Sequence, residues 1–165
     1  DWMEGLKEWI LTIETSNTPV LGICFGHHAM AEAFGGTVDY RNNGPEVGMV
    51  EVEFSDDAAN DFLFKVLSKK EMVFQYHSQA IQNLPKENII LASNAEGAFQ
   101  AIRYKENMWS AQFHPEFNKD ILESYIQNNA LELTTNGLDP YELIVGLADS
   151  STGETLLKQF ISICK

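Results

Sequence analysis

The segment VLGICFGHHAMAEAFGG, residues Val20 to Gly36, carries the most informative pattern in this chain. An apolar run leads into Gly22-Ile23-Cys24-Phe25-Gly26, and small and apolar residues at helical spacing follow it. This order predicts a strand, a sharp turn with Cys24 at its apex, and then a helix.

The glycines on either side of Cys24 indicate a nucleophile elbow. A strand that reverses into a helix within a few residues crowds its flanking side chains, and the G-x-S-x-G turn of hydrolases relieves that crowding in the same way with serine. At such a helix N-terminus, the helix dipole and the free N–H groups favour a thiolate. We interpret Cys24 as a reactive residue whose sulfur projects from the turn. The alternative is a buried, inert cysteine on a core strand.

Composition and charge narrow the class of protein. A chain of 165 residues, 44% hydrophobic and 11% aromatic, is expected to form a single globular domain over residues 1–165. The formal charge of −13 argues against nucleic acid or an anionic membrane as a partner. No apolar run approaches the roughly 18 residues of a membrane span, and the N-terminus lacks the pattern of a signal peptide. We therefore expect a cytoplasmic protein.

The chain contains two cysteines, Cys24 and Cys164, which give no disulfide framework. Cys164 lies in the apolar segment FISICK, where we expect it to pack in the interior. A reducing compartment would keep Cys24 free.

Helical and strand patterns alternate along the chain and predict one α/β unit without repeats or linkers. Capping signals at Asn118, Asp139-Pro140 and Ser151 with Glu154 indicate a helical C-terminal part. Helices are predicted at 2–13, after Cys24, and beyond 118, and a short helix or loop is predicted at 57–67. Strands are predicted at 20–23, 37–40, 47–54, 72–77, 89–92, 98–104 and 108–113.

A second motif, Gln112-Phe113-His114-Pro115-Glu116, follows the last predicted strand. In an extended chain, His114 and Glu116 point to the same side, and Pro115 stiffens the backbone between them. A histidine base needs a carboxylate on one ring nitrogen to fix its tautomer, so the pair suits a base and its orienting group. A surface turn with a solvated glutamate is the alternative.

Together these motifs resemble those of the class I glutamine amidotransferases. The resemblance rests on the G-x-C-x-G elbow, the later Gly-Gly, and an H-P-E sequence that begins 90 residues after Cys24. The segment YHSQAIQNLP, Tyr76 to Pro85, is similar to the histidine-serine segment that lines the family's glutamine pocket. The helical tail is most similar to stand-alone relatives of the GMP synthase amidotransferase domain.

The resemblance implies a flavodoxin-like, three-layer α/β fold with a mixed, mostly parallel central sheet. Two departures from the family pattern stand out. His28 occupies the place of the glutamine that usually follows the nucleophile by four residues and contacts substrate. The family's first strand, helix and strand, with a loop that supplies one oxyanion-hole N–H, are also absent before Asp1, so we expect an N-terminally incomplete domain.

The implied chemistry is hydrolysis of the glutamine side-chain amide through a thioester. Cys24 would be the nucleophile, His114 the proton shuttle and Glu116 its orienting group, and the N–H of Phe25 would be one oxyanion donor. The residues implied to bind substrate are His28, Tyr76, His77 and Ser78. The ammonia would pass to a synthase domain or subunit, because no phosphate-binding loop that could activate an acceptor occurs in the chain.

No cofactor or metal is expected. His27 and His28 adjoin on a helix, so their side chains diverge by roughly 100° and cannot chelate one metal together. We expect His27 to have a structural role. Two other functions stay open: hydrolysis of a γ-glutamyl amide other than glutamine, because His28 alters the pocket, and a catalytically silent binding or regulatory domain.

Overall fold

A computed structural model describes residues 2–96 and 98–165. The helices are α1 (Trp2–Glu14), α2 (Phe25–Ala33), α3 (Lys119–Asn128), α4 (Ala130–Thr135), α5 (Pro140–Val145) and α6 (Thr152–Ile163). The strands are β1 (Val20–Ile23), β2 (Thr37–Tyr40), β3 (Glu46–Phe54), β4 (Lys70–His77), β5 (Gln79–Asn83), β6 (Ile89–Asn94), β7 (Phe99–Lys105) and β8 (Met108–Ala111). Two 3₁₀ turns, Ala58–Asn60 and Phe64–Val66, lie between β3 and β4.

Six strands form the main sheet in the order β1-β8-β7-β6-β3-β4, while β2 and β5 form a separate antiparallel pair. β1 runs parallel to β8, with Val20 opposite Met108. The other four neighbouring pairs in the described part of this sheet are antiparallel. The prediction of an α/β fold with a mixed sheet is therefore confirmed, but the prediction that the sheet is mostly parallel is wrong here. Short turns join β6 to β7 and β7 to β8, and short connections favour antiparallel pairing, whereas parallel neighbours need a long crossover.

The sheet separates two apolar cores, as β8 illustrates. Met108 and Trp109 are successive residues with almost no exposed surface, and they point to opposite faces. Met108 packs with Ile10 of α1 and Met30 of α2, whereas Trp109 packs with Leu156 of α6. Helices thus cover both faces of the sheet, which confirms the expected three layers. A third core, formed around Phe74, Leu122, Ile126, Leu133 and Leu147, packs α3–α5 over β3 and β4.

The sheet is curled. β1 and β4 are its two outermost strands, yet the chain that follows β8 reaches β4, because the His114 backbone N–H donates to the Phe74 carbonyl at 2.9 Å. Cys24, immediately after β1, has its sulfur 4.0 Å from the carbonyl oxygen of Tyr76 on β4. The curl therefore brings the end of β4 to the turn that carries Cys24.

Most predicted elements are present, with boundaries within a few residues. Asn118 caps α3 by accepting from the Ile121 N–H at 2.9 Å, and Asp139 caps α5 through the Tyr141 N–H at 2.9 Å, so both capping predictions are confirmed. β5 and α4 were not predicted. β5 lies in the segment that was assigned to the substrate pocket, and α4 has only six residues, too few to show a clear helical period.

Two predictions for the C-terminal part are wrong. The Ser151 side chain makes no capping hydrogen bond; the Thr152 N–H is instead 3.3 Å from the Ser150 hydroxyl. Cys164 is exposed, because it lies just past the last turn of α6 and outside the packed face of that helix. None of the helices in the described residues is long and apolar enough to cross a membrane.

Candidate active site

Cys24 is held in a sharp turn between β1 and α2. Its φ is 47° and its ψ is −96°, and it is the one non-glycine residue with positive φ in the part of the chain that the structure describes. The turn is fixed from both sides: the Cys24 N–H donates to the Ala111 carbonyl at 2.8 Å, and the Cys24 carbonyl accepts from the His28 N–H at 3.2 Å. A non-glycine residue in this region of backbone space is strained and is a feature of functional turns.

The two glycines of the elbow have different environments. A Cβ at Gly22 would lie 2.6 Å from the Gly26 carbonyl oxygen and 2.7 Å from the Met30 sulfur. A Cβ at Gly26 would meet no atom within 4 Å. Steric crowding therefore explains Gly22 as predicted, whereas the prediction of the same crowding at Gly26 is wrong. The reason is that the Gly26 carbonyl group occupies the space where a side chain of residue 22 would lie, whereas a side chain at residue 26 would point into open space.

His114 and Glu116 form a direct pair. Nδ1 of His114 is 2.7 Å from Oε1 of Glu116, so the ring N–H donates to the carboxylate and fixes the tautomer. The pair is made in a turn after β8, not in an extended strand, because the Phe117 N–H donates back to the His114 carbonyl at 3.2 Å. The Phe117 ring stacks on the imidazole at 4.1 Å between centroids. The His114 ring is thus held on one face by Phe117 and at Nδ1 by Glu116.

The other ring nitrogen of His114, Nε2, is buried and has no hydrogen-bond partner within the described residues. Burial alone would lower the pKa of His114, but the adjacent Cys24 sulfur and the Glu116 carboxylate outweigh it and raise that pKa to about 9. At neutral pH the imidazolium form is therefore favoured next to Cys24. This arrangement suits a thiolate–imidazolium pair.

Close backbone packing fixes the turn that carries His114. A Cβ at Gly153, in the first turn of α6, would lie against the backbone of Pro115, 2.8 Å from its carbonyl carbon and from its Cα. Pro115 itself is buried. The lack of a side chain at Gly153 thus lets α6 pack directly on the turn between His114 and Glu116.

Gln112 is a contact of Cys24 that the sequence motif did not identify as functional. Its side chain is 1% exposed, and its amide NH₂ lies 3.8 Å from the Cys24 sulfur. Its amide oxygen accepts from Nε2 of His28 at 2.8 Å. Burial lowers the pKa of His28 despite this hydrogen bond, so the ring is neutral. The sequence placed Gln112 beside the H-P-E motif, but nothing in its residue type indicated a contact 88 positions away.

His27 is structural, as predicted. It is fully buried, and its two ring nitrogens are 2.7 Å from the Ser110 hydroxyl and 3.0 Å from the Phe99 carbonyl oxygen. Burial lowers the pKa of His27 to about 3, which keeps the ring neutral. His27 and His28 leave α2 in different directions and contact different partners.

His77 lies in a buried polar cluster beside the site. Its ring nitrogens are 2.7 Å from the Gln79 carbonyl oxygen and 3.0 Å from the Glu46 carboxylate, which leaves neither free for another ligand. Burial alone would raise the pKa of Glu46, but the His77 hydrogen bond and the nearby Arg41 outweigh it and lower that pKa. Asn94 and Gln100 also donate to the Glu46 carboxylate, which therefore organises this cluster. Glu46 carried no signal in the sequence.

A pocket of about 230 Å³ lies next to the end of β4. Three of the four residues expected to bind substrate line it: Tyr76, His77 and Ser78. His28, the fourth, is not among its lining residues. Glu132 and Asn136 at the far side come from α4 and the turn after it. Within the described residues, no group of three or more His, Cys, Asp or Glu side chains is placed to hold a metal ion.

The sequence model of the glutamine amidotransferase class-I family matches residues 3–133, which include both halves of the site described above. The chain belongs to the class I glutamine amidotransferase family.

Two curated relatives are similar to this amidotransferase chain over about three quarters of its length. A glutamine-hydrolyzing GMP synthase subunit of Methanopyrus kandleri is 33% identical over 127 residues, which is 73% of this chain and 66% of the relative. The gamma-glutamyl peptidase 4 of Arabidopsis thaliana is 30% identical over 124 residues, which is 74% of this chain and 49% of the relative. The chain thus spans about two thirds of one relative and half of the other.

A solved structure supports the amidotransferase fold. The glutamine amidotransferase of Thermotoga maritima superposes with a TM-score of 0.82 at 24% identity, covering 99% of this chain and 70% of that one. At this level of identity the match concerns the fold alone, and it agrees with the curled mixed sheet between helical layers.

Proposed function

We propose that this chain hydrolyses the side-chain amide of glutamine to glutamate and ammonia, with Cys24, His114 and Glu116 as the catalytic triad. The observation that carries the proposal is the placement of His114. Its Nδ1 is occupied by Glu116 at 2.7 Å, and its buried Nε2 is left without a partner, within the described residues, beside the strained Cys24 turn. Family membership supplies the class of reaction.

The first half of the reaction forms a thioester. The Cys24 thiolate attacks the amide carbon of glutamine, and the C–N bond breaks as the His114 imidazolium gives its Nε2 proton to the departing nitrogen, which leaves as ammonia. In the second half, neutral His114 takes a proton from water, and the resulting hydroxide attacks the thioester carbon. The C–S bond then breaks, which releases glutamate and restores the thiolate and the imidazolium.

The oxyanion of each tetrahedral intermediate needs preorganised N–H donors. Phe25 is the first residue of α2, and the N–H groups of a first helical turn have no intrahelical partner. We assign the Phe25 N–H as one donor. Glutamine would occupy the pocket lined by Tyr76 and Ser78, whereas His28 and His77 shape its surroundings, because Nε2 of His28 and both ring nitrogens of His77 already have protein partners.

A synthase domain or subunit would accept the ammonia. The support is the similarity to relatives from Methanopyrus kandleri and Pyrococcus furiosus that are named as subunits of a glutamine-hydrolyzing GMP synthase. The acidic character of the chain, with a net charge of −13, favours a basic docking surface on that partner.

The test is glutamate production from glutamine, with Cys24→Ser as the inactive variant and Cys164→Ser as the matched control. Cys164 is exposed and lies outside the site, so its substitution should leave turnover unchanged. His114→Ala should abolish turnover, while Glu116→Gln should lower it less, because the imidazole keeps its packing on Phe117. Turnover in Cys24→Ser or full activity in His114→Ala would overturn the triad.

A second candidate is hydrolysis of another γ-glutamyl amide. It is favoured by His28, which stands where the family usually has glutamine and is engaged with Gln112, and by the similarity to gamma-glutamyl peptidase 4. A panel of γ-glutamyl dipeptides and amines, compared with glutamine by kcat/KM, separates the two activities. Hydrolysis of none of these compounds by a folded chain would instead support a catalytically silent binding domain.

A further inference from the structure

Gln112 and His28 form a chain of contacts that ends on the nucleophile. The Gln112 side chain is almost completely buried between the two, with its amide oxygen 2.8 Å from His28 Nε2 and its amide nitrogen 3.8 Å from the Cys24 sulfur. Neither Gln112 nor His28 is a member of the proposed triad.

The direction of the Gln112 amide follows from the chemistry of its partners. A thiolate is an acceptor only, so the amide group that faces it should be the NH₂ donor. The same amide can present only its oxygen to His28, which must then donate from Nε2. A neutral imidazole with its proton on Nε2 meets this requirement and disfavours the flipped amide, in which NH₂ would face another N–H donor.

The position of His28 is itself fixed by the helix that carries it. The adjacent His27 anchors α2 to Ser110 on β8 and to the Phe99 carbonyl at the start of β7. His28 is therefore held against β8 close to Gln112, which follows that strand. The backbone at His28 therefore cannot move away from Gln112 without breaking the contacts of His27, and the His28 ring is held by its own hydrogen bond to the amide.

We infer that Gln112 is a further catalytic residue, whose amide NH₂ stabilises the Cys24 thiolate, and that His28 is a positioning residue that acts through the orientation of this amide. This inference rests on the proposed function of Cys24 as a nucleophile. In this inference His28 acts by orienting the Gln112 side chain, and not by contacting substrate.

The experiment measures the thiolate directly. In a Cys164→Ser background, the rate of iodoacetamide alkylation of Cys24 is recorded from pH 4 to pH 10, and the midpoint reports the apparent pKa of the thiol. Gln112→Met keeps the side-chain length but removes the donor. Because the contact is long, we expect a modest rise in the midpoint, about one pH unit or tenfold in thiolate population at a given pH.

Gln112→Glu provides a second variant with the shape of glutamine. Its carboxylate presents an acceptor to the sulfur while still accepting from His28, so the midpoint should rise at least as much as in Gln112→Met. Circular dichroism and urea unfolding identify the variants that fold. An unchanged midpoint in the folded Gln112 variants would overturn the assignment of Gln112.

A double-mutant cycle tests the role of His28. His28→Phe fills the site but removes the Nε2 donor, so the alkylation midpoint should rise by part of the rise seen in Gln112→Met. His28→Gln can donate from its own amide, so its midpoint should return toward the wild-type value. In the Gln112→Met background, His28→Phe should cause no further rise. Additive effects of the two substitutions would show that His28 does not act through Gln112.

This measurement is separate from glutamine turnover. If wild type hydrolyses glutamine but the Gln112 variants have the same alkylation midpoint as wild type, the inference about Gln112 is refuted and the proposed triad stands. If iodoacetamide alkylates Cys164 of the folded wild-type chain but does not alkylate Cys24 at any pH, the proposed nucleophile itself is refuted.

Discussion

Replacing each elbow glycine by alanine should have opposite effects on stability, although both lie two residues from Cys24. At Gly22, the new methyl group would be 2.6 Å from a backbone carbonyl oxygen, well inside normal contact distance. The Gly26 backbone cannot yield without shifting α2, so we expect a loss typical of overpacked cores, about 1–3 kcal/mol in the free energy of unfolding. At Gly26 the methyl group meets open space, and alanine in a helix is favoured over glycine by about 0.5–1 kcal/mol.

The two variants should therefore differ by about 1.5–4 kcal/mol in urea unfolding, with wild type between them. Because Gly22→Ala displaces the start of α2, it should also slow alkylation of Cys24. Gly26→Ala is the matched control, because it replaces a glycine by alanine at the same distance in sequence from Cys24 but without a steric clash. Equal stability of the two variants would refute the steric explanation of Gly22.

Three further predictions concern the imidazole, its supporting turn and a buried carboxylate. The pKa of His114 is about 9 in the folded chain, against an ordinary value of 6.5, so its stabilising contribution should be complete below pH 6.5 and lost as the pH rises through 9. An NMR titration of the His114 ring should therefore show a pKa well above 6.5 in wild type that falls in Cys24→Ser, because the sulfur is one of the two groups that raise it; an unchanged pKa in that variant would contradict the contribution of the sulfur. Gly153→Ala should push α6 away from Pro115 and lower kcat more than it raises KM, which steady-state kinetics can resolve; unchanged kinetics would show that this packing does not position the imidazole. Asp61→Asn should cost about 1–3 kcal/mol in urea unfolding, because one buried carboxylate oxygen accepts from both Arg103 at 3.0 Å and Trp109 at 3.1 Å, and an uncharged amide cannot replace it fully; an unchanged stability would contradict this.

Part of the local geometry of the candidate site was predictable because it is contained in short motifs. The elbow around Cys24 and the pair His114–Glu116 depend on residues within a few positions of each other, so spacing indicated that both would form, although the pair is made in a turn and not in an extended chain. The helix caps at Asn118 and Asp139 were predictable for the same reason. Each of these features is decided by neighbouring backbone.

The features that could not be predicted depend on contacts between distant segments. Gln112 meets Cys24 only because β8 lies beside β1, and Glu46 meets His77 only because β3 pairs with β4. The mostly parallel sheet was implied by the family resemblance, and the residues themselves could not have corrected it. Apolar alternation shows that a segment is a strand, but the direction of its neighbour depends on the connections and the tertiary packing. Cys164 was misplaced because an apolar local sequence does not show which face of α6 is packed.

The attachment of Cys24 to β8 has a mechanical consequence. The thiol-bearing turn is tied to Ala111 by a backbone hydrogen bond, and the imidazole follows only three residues later on the same piece of chain. We therefore expect the proposed nucleophile and base, 90 positions apart in sequence, to be held by one hydrogen-bonded segment and to keep their separation when other parts of the molecule move. Motions of α3 to α5 can change how substrate enters and leaves without changing the separation of sulfur and ring nitrogen. On gradual heating, reactivity of the thiol should consequently persist until the strand itself comes apart, so that inactivation and cooperative melting coincide.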